Sequence, residues 1–454
     1  MATDRTALLA VPAAAAVLLW PALWNGFPIV FADTGTYLSQ AIHHYAGWDR
    51  PVFYSLFMLP LHLMRTLWPV VAVQALLAAW VCWLVVRVLA SRVSGIAFVA
   101  GAAVLSTCTW LPWLVSELMP DLFTPLLVLI LCLLAWVPER LSPWEQTALV
   151  ALAALMTASQ QSSLPVACVL GVGLALLRRA VTPGASWRDR RGLAVITRPL
   201  RGWLLVILPP ALAVLGLCSI NLAAYGRFAI SPFGNVFLLA RVIYDGPGMA
   251  VLRRDCPVAH WRLCPYLDSF PPTSDDFLWT ADSPLRRAGG PKAVSQDAGA
   301  IIEAALRADP AGQARAALTN TWEQLTRFNS GDGLTPWPDE VSPWIKRDFP
   351  AREQAAYAAA RQQAGSLSVP PLLARVHTVT ALAGVVACAI LLPVAFKRRA
   401  ACAGFLLAVL LILPLGAAIT GSLSAPHDRY QARLMWLPPF IAVVSLASLR
   451  RRPA

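Results

Sequence analysis

The sequence predicts an all-α polytopic membrane protein with about ten transmembrane helices and an α-rich soluble domain on the periplasmic side. Three observations predict it. Hydrophobic residues fill 57% of the 454 positions and charged residues only 13%, more apolar surface than a water-soluble chain of this length can hide. The apolar residues gather in runs long enough to cross a bilayer. The basic residues collect in alternate short loops between those runs, the bias that orients membrane helices.

The first run, residues 7–24, follows Arg5 and ends in Trp20 and Trp24, which suit the membrane interface. It has the length of a secretion signal, but no small-residue cleavage site follows, so it reads as an uncleaved first helix. Further runs fall near 69–90, 94–115, 121–137, 145–159, 163–178, 202–223, 372–395, 401–420 and 433–449. A span needs roughly 17–25 residues, and 145–159 is the weakest of them.

Residues 51–68, PVFYSLFMLPLHLMRTLW, are ambiguous: the run is short and holds Pro51, Pro60, His62 and Arg65. Loop charge decides its place. If it does not cross and the N-terminus is cytoplasmic, the inner loops hold Arg87, Arg92, Arg140, the arginines between Arg178 and Arg201, Lys397 to Arg399, and Arg450 to Arg452. The short outer loops then keep only Arg50, Arg65, Arg429 and Arg433. A crossing at 51–68 would reverse that bias, so the segment is expected to lie on the outer surface or to be re-entrant. The expected organisation is an N-terminal transmembrane module, 1–223, with a periplasmic first loop and surface helix at 25–68. A periplasmic soluble domain, 224–370, and a C-terminal transmembrane module, 371–454, follow. The protein is expected in a bacterial inner membrane with both termini cytoplasmic.

Segment 224–370 carries 15 acidic and 15 basic residues and is long enough for a small domain. Residues 293–308 and 311–329 read as amphipathic helices broken at Asp309-Pro310, and 351–365 as a third, alanine-rich helix. Cys256 and Cys264 fall here, where a disulfide fits an oxidising compartment. The other cysteines lie in apolar runs and read as packing residues. The net charge of +13 sits in orientation loops and forms no nucleic-acid patch, so no nucleic-acid partner is expected. No Walker loop, GxGxxG, GxSxG or HExxH occurs, which removes ATPase, dinucleotide-enzyme, lipase and zincin readings.

Polar residues at the ends of membrane helices are costly and so are candidate sites. The expected outer loops supply Asp33, Tyr37, His43, His44, Asp49, Arg50 and Tyr54; Glu117 and Asp121; Gln160 and Gln161; and His427, Asp428, Arg429, Tyr430 and Arg433. The inner loops supply almost only arginine. Structural roles compete with this reading. Asp33 and Asp121 suit helix N-caps, Glu117 a solvated surface, and the glutamines helix-end carbonyls. Arg429 and Arg433, four apart, would share a helix face as membrane anchors or as an anion site. The adjacent His43 and His44 would face different ways on a helix, which weakens a metal reading.

The layout resembles the GT-C superfamily of membrane glycosyltransferases, which includes protein O-mannosyltransferases and lipid A aminoarabinose transferases. The resemblance runs over most of residues 1–180 and about 370–450. It rests on an acid shortly before a tyrosine after the first helix (Asp33, Tyr37), RPVFY at 50–54, MPD at 119–121, and DRYQARLMWLPP at 428–439. The sequence departs from the family in having a single early acid, a reduced double-proline motif, and an unmatched 224–370 insertion.

The resemblance implies transfer of a sugar from a polyprenyl-phosphate-linked donor to an envelope glycan, glycolipid or protein acceptor at the outer face, with inversion. In that reading Asp33 is the general base and Asp121 orients the acceptor or holds a metal. Arg429, with Arg433 or Arg50 as substitutes, holds the departing phosphate. Tyr37, Tyr54, Glu117, Gln160 and Tyr430 line the substrates, among them the membrane lipid chain. No cofactor is assigned beyond a divalent metal as an open option. The competing readings are a transporter or flippase for a lipid-linked substrate, and a non-catalytic GT-C-like subunit of an envelope assembly. A transporter would place ionisable groups near the bilayer midplane, where this sequence has few.

Overall fold

The structure, a computed structural model, describes residues 5–181 and 194–450. Arg188, Arg190, Arg191, Arg451 and Arg452, which entered the loop-charge argument, lie outside the described residues. The described residues are helical, with a single parallel bridge between Ile29 and Glu117 in place of any strand. Every one of the ten apolar runs becomes helix.

Five described helices are long and apolar enough to cross a membrane, the mark of a multi-pass membrane protein: Trp68–Leu89, Gly202–Tyr225, Pro371–Lys397, Cys402–Leu423 and Asp428–Leu449. The remaining runs are shorter or broken. The first breaks after Leu18, before Trp20-Pro21, and the third after Cys108, before Pro112. Phe53–His62 is a helix of 10 residues, so about 15 Å long, half of the roughly 30 Å hydrocarbon thickness.

Contacts divide the chain into two units. The first comprises Met1–Leu217, Asn329–Leu413 and Ala432–Ala454. At its centre lies Phe123–Trp136, buried along its whole length and packed against Trp68–Leu89, Pro143–Ser159 and Ser163–Val181. Pro371–Lys397 packs on Leu437–Leu449 at Gly384, where a Cβ would come 2.4 Å from the nitrogen of Pro439.

Two helices in this unit carry polar groups at opposite ends. Trp68–Leu89 holds Gln74 near its start and Arg87 near its finish, about 20 Å apart along a helix. Arg87 forms a two-pronged ion pair with Glu145 at 2.6 and 3.0 Å, at the start of Pro143–Ser159. Arg140 donates to the Val88 carbonyl at the same end. Gln160 closes the other end of Pro143–Ser159.

Part of the segment expected to be soluble belongs to this first unit. Gln362 bonds both backbone groups of Val30, at 3.0 and 2.6 Å. Glu353 accepts from Thr66 Oγ1 and the Leu67 amide. Pro338–Asp348 rests on Ala32–His43 at Gly35, where a Cβ would come 1.9 Å from the Glu340 carbonyl oxygen. The expected helix over 351–365 stops at Ala358.

The second unit comprises Cys218–Phe328 and Pro414–Gln431. Gly234–Tyr244 and Pro247–Ala259 meet at 97° and together are apolar enough to count as a sixth, broken span. The elbow needs Gly246, whose φ of 111° is a left-handed conformation that side chains resist. Leu239, Ile243, Val251, Leu252, Phe277 and Ile301 form the interior. Gly290–Ala308 and Pro310–Thr326 part at Asp309, whose carboxylate caps the second helix by accepting from the Gly312 amide at 2.7 Å. Cys256 and Cys264 form a disulfide.

Candidate functional site

The first unit gathers most of the sequence-derived candidates around Tyr54. Its ring is fully buried, packs edge-on to Tyr37 at 4.9 Å, and touches Phe57 and Phe123. Its hydroxyl donates to Gln74 Oε1 at 2.7 Å. The Gln74 amide nitrogen in turn donates to the carbonyls of Val115 and Glu117, at 3.1 and 2.8 Å. Burial first, and then the neighbouring Tyr37, Glu117 and Asp121, hold the Tyr54 phenol well above its ordinary range. It therefore stays a donor at any physiological pH.

Asp33 lies in the first turn of Ala32–His43, after Phe31 as N-cap. The cap role falls to Thr34, whose Oγ1 accepts from the Phe31 amide at 2.9 Å and donates to the Leu118 carbonyl at 3.1 Å. That leaves the Asp33 carboxylate for Arg50, at 2.7 Å. Arg50 is fixed from behind: Gln40 donates to its carbonyl at 3.2 Å. Burial pulls the Arg50 guanidinium down, but the charges of Asp33 and Asp49 outweigh it and keep the guanidinium protonated. The pair is partly open, Arg50 being 19% and Asp33 14% exposed.

Asp121 and Arg433 form a second acid–guanidinium pair at 2.8 Å, with Arg433 only 3% exposed. Gln160 Oε1 accepts from Arg433 at 3.0 Å and from Thr124 Oγ1 at 2.6 Å. Gln160 thus serves an arginine and a threonine, and not helix-end carbonyls. Asp121 sits in the short turn Pro120–Leu122 that leads into Phe123–Trp136, so the central helix presents it directly to Arg433.

Arg429 and Tyr430 belong to the second unit, apart from Arg433 in the first. Within Asp428–Leu449, Arg429 lies in the turn of helix Asp428–Ala432 and Arg433 in the turn at 433–436 that follows it. The Arg429 guanidinium lies 5.0 Å from the Tyr430 ring, and Tyr430 packs edge-on against His427 at 5.5 Å. His427 meets Asp275 at 3.1 Å, and its backbone exchanges two hydrogen bonds with the Gln324 side chain. The His427 contact first, with the charges of His427, Arg429 and Arg241, holds the Asp275 carboxyl below the usual range against the opposing pull of burial.

Comparison with protein-family models, curated proteins and solved structures finds no match to this chain. The site is therefore read from its own geometry. Gln74, Thr124 and Asp275 were not among the residues singled out from sequence. Gln74 had a signal, being an amide inside an otherwise apolar run; Asp275 had none. His43 turns to the Ser39 carbonyl, Trp344 and Arg347, while His44 ends the helix in a left-handed conformation. Among the described residues, no three His, Cys, Asp or Glu side chains converge as metal ligands.

Proposed function

We propose that the protein is an inverting membrane glycosyltransferase that moves a sugar from a polyprenyl-phosphate-linked donor to an envelope acceptor. In this reading it lies in a bacterial inner membrane with both termini cytoplasmic, and the ten apolar runs cross or enter the bilayer. The site faces the periplasm. The disulfide between Cys256 and Cys264 supports an extracytoplasmic second unit.

The observation that carries the reading is the partly open Asp33–Arg50 pair, with Tyr37 close enough to act on the Arg50 charge. Exposure separates the two pairs by role. Arg433 and Asp121 are 3% and 5% exposed and act as scaffold, whereas Arg50 and Asp33 are within reach of a ligand. A donor phosphate competes with Asp33 for the Arg50 fork, which suits phosphate oxygens as well as carboxylate. Donor binding then frees the carboxylate to take a proton. The acceptor oxygen attacks the anomeric carbon, its proton passes to Asp33, and the bond from the anomeric carbon to the phosphate oxygen breaks. The phosphate departs as an anion held by Arg50.

The test is transfer from labelled lipid-linked sugars by the purified chain in liposomes. Asp33→Asn should abolish transfer and leave the melting temperature within a few degrees of wild type. Transfer undiminished in Asp33→Asn would sink the proposal.

A further inference from the structure

The second unit holds a cleft of about 600 Å³ at the elbow between Gly234–Tyr244 and Pro247–Ala259, closed on its far side by Pro310–Thr326. Its volume lies within the roughly 300–1,000 Å³ of small-molecule sites. From this cleft we infer a saccharide-binding site. In the glycosyltransferase reading, on which this clause alone rests, it would hold the acceptor glycan.

The polar floor is built around Asp245, whose side chain is 3% exposed. Arg241 pairs with it, Gln313 donates to one carboxylate oxygen at 2.6 Å, and Asn320 donates to the other at 2.9 Å. Arg241 Nε and Gln313 Oε1, which flank this carboxylate, are buried with no hydrogen-bond partner among the described residues. At the rim Arg315 lines the cleft and makes no hydrogen bond or ion pair among the described residues. Asp309 and Thr319 line the same side. Ala250, Val251 and Ala316 leave apolar wall between these groups.

The mixture decides the ligand class. Asp309 disfavours an anion and Arg315 a cation, while Asp245 and Arg254 are each offset by their own ion-pair partners, Arg241 and Asp255. A purely apolar ligand would cover Arg315 and Thr319 without pairing them. What remains is an uncharged molecule that both donates and accepts over much of its surface and still offers a C–H face, and hydroxyl groups have that dual capacity. A sugar ring fits. Gly246 lines the cleft without a side chain, and nothing lies within 4 Å of where its Cβ would be.

The experiment is saturation-transfer NMR on the full chain in a sugar-free detergent. The probes are neutral disaccharides of gluco, galacto, manno and 2-acetamido configuration, with their fully O-methylated forms as controls. Free disaccharide should receive saturation and the methylated form should not. Arg315→Ala should weaken the effect about fivefold or more, the loss of one charge-assisted hydrogen bond. Ala316→Trp, which places an indole in the cleft while every polar lining residue is kept, should abolish it. Saturation of none of the disaccharides overturns the inference, as does equal saturation of the methylated forms or an effect unchanged in both variants. Binding is read without catalysis. Sugar binding without transfer would therefore retain this site and reject the transferase reading, while transfer without sugar binding would do the reverse.

Discussion

Asp121 and Arg433 stand 312 residues apart in the chain and 2.8 Å apart in the fold. Their side chains are 5% and 3% exposed, so the pair is shielded from solvent on all sides. Removing one partner strands the other's charge, which in buried pairs costs about 3–5 kcal/mol. Asp121→Ala and Arg433→Met should each lower stability by about that amount, and the double variant should lose clearly less than the sum. Thermal unfolding in detergent, run as a double-mutant cycle, measures it; strict additivity would show the pair to be energetically uncoupled.

Arg50 tests the donor half of the proposed chemistry. Arg50→Lys keeps the charge and loses the fork, so it should retain part of the transfer rate and bind donor more weakly. Arg50→Ala should raise the KM for lipid-linked donor about tenfold or more, as expected for a hydrogen bond to a charged group. An unchanged KM in both variants removes Arg50 from phosphate binding.

Gly35 is required by packing. Its helical backbone meets the Glu340 carbonyl so closely that an added Cβ would sit 1.9 Å from the oxygen. Gly35→Ala should push Pro338–Asp348 away from Ala32–His43 and cost at least about 1–3 kcal/mol. Limited proteolysis would read this as new cleavage within 329–350. A stable variant with the wild-type cleavage pattern would contradict the contact.

Asp275 gives a signed pH prediction. Its carboxyl lies below the ordinary range in the folded chain. Its contribution is therefore complete above the unfolded value, about 3.9, and is lost as pH falls through the lower folded value. The stability gap between wild type and Asp275→Asn should be widest above about pH 4 and close on further acidification. Melting temperatures across that range measure it. A gap that opens on acidification would reverse the assignment.

The sequence carried the helical class and the location of the runs, because apolar length is a local property. Asp33, Tyr37, Arg50, Tyr54, Asp121, Gln160 and Arg433, which the sequence grouped as candidates, all fall in one unit, where Asp33 pairs with Arg50 and Asp121 with Arg433. The pairing itself was not legible. Arg50 and Arg433 read equally well as anion sites or anchors, and only tertiary contact shows each committed to a carboxylate. Run length also did not disclose breaks such as those after Leu18 and Cys108; among the described residues five helices, or six with the bent pair, are long and apolar enough to cross a membrane. Residues 329–370 resemble 224–328 in composition, and their place in the first unit follows from tertiary contacts such as Gln362 to Val30 and Glu353 to Leu67.

The interleaving of the two units in the chain has a consequence for biogenesis. Each unit is built from separated stretches, and the last piece of each comes late: 414–431 for the second, 432–454 for the first. While the chain is being synthesised, Asp121 enters the growing protein long before the arginine that neutralises it. Asn320 likewise waits for Gly421, against which its backbone packs. Neutralisation of the Asp121 charge and covering of the Asn320 backbone are thus late events of synthesis, made only after Arg433 and Gly421 have emerged from the ribosome.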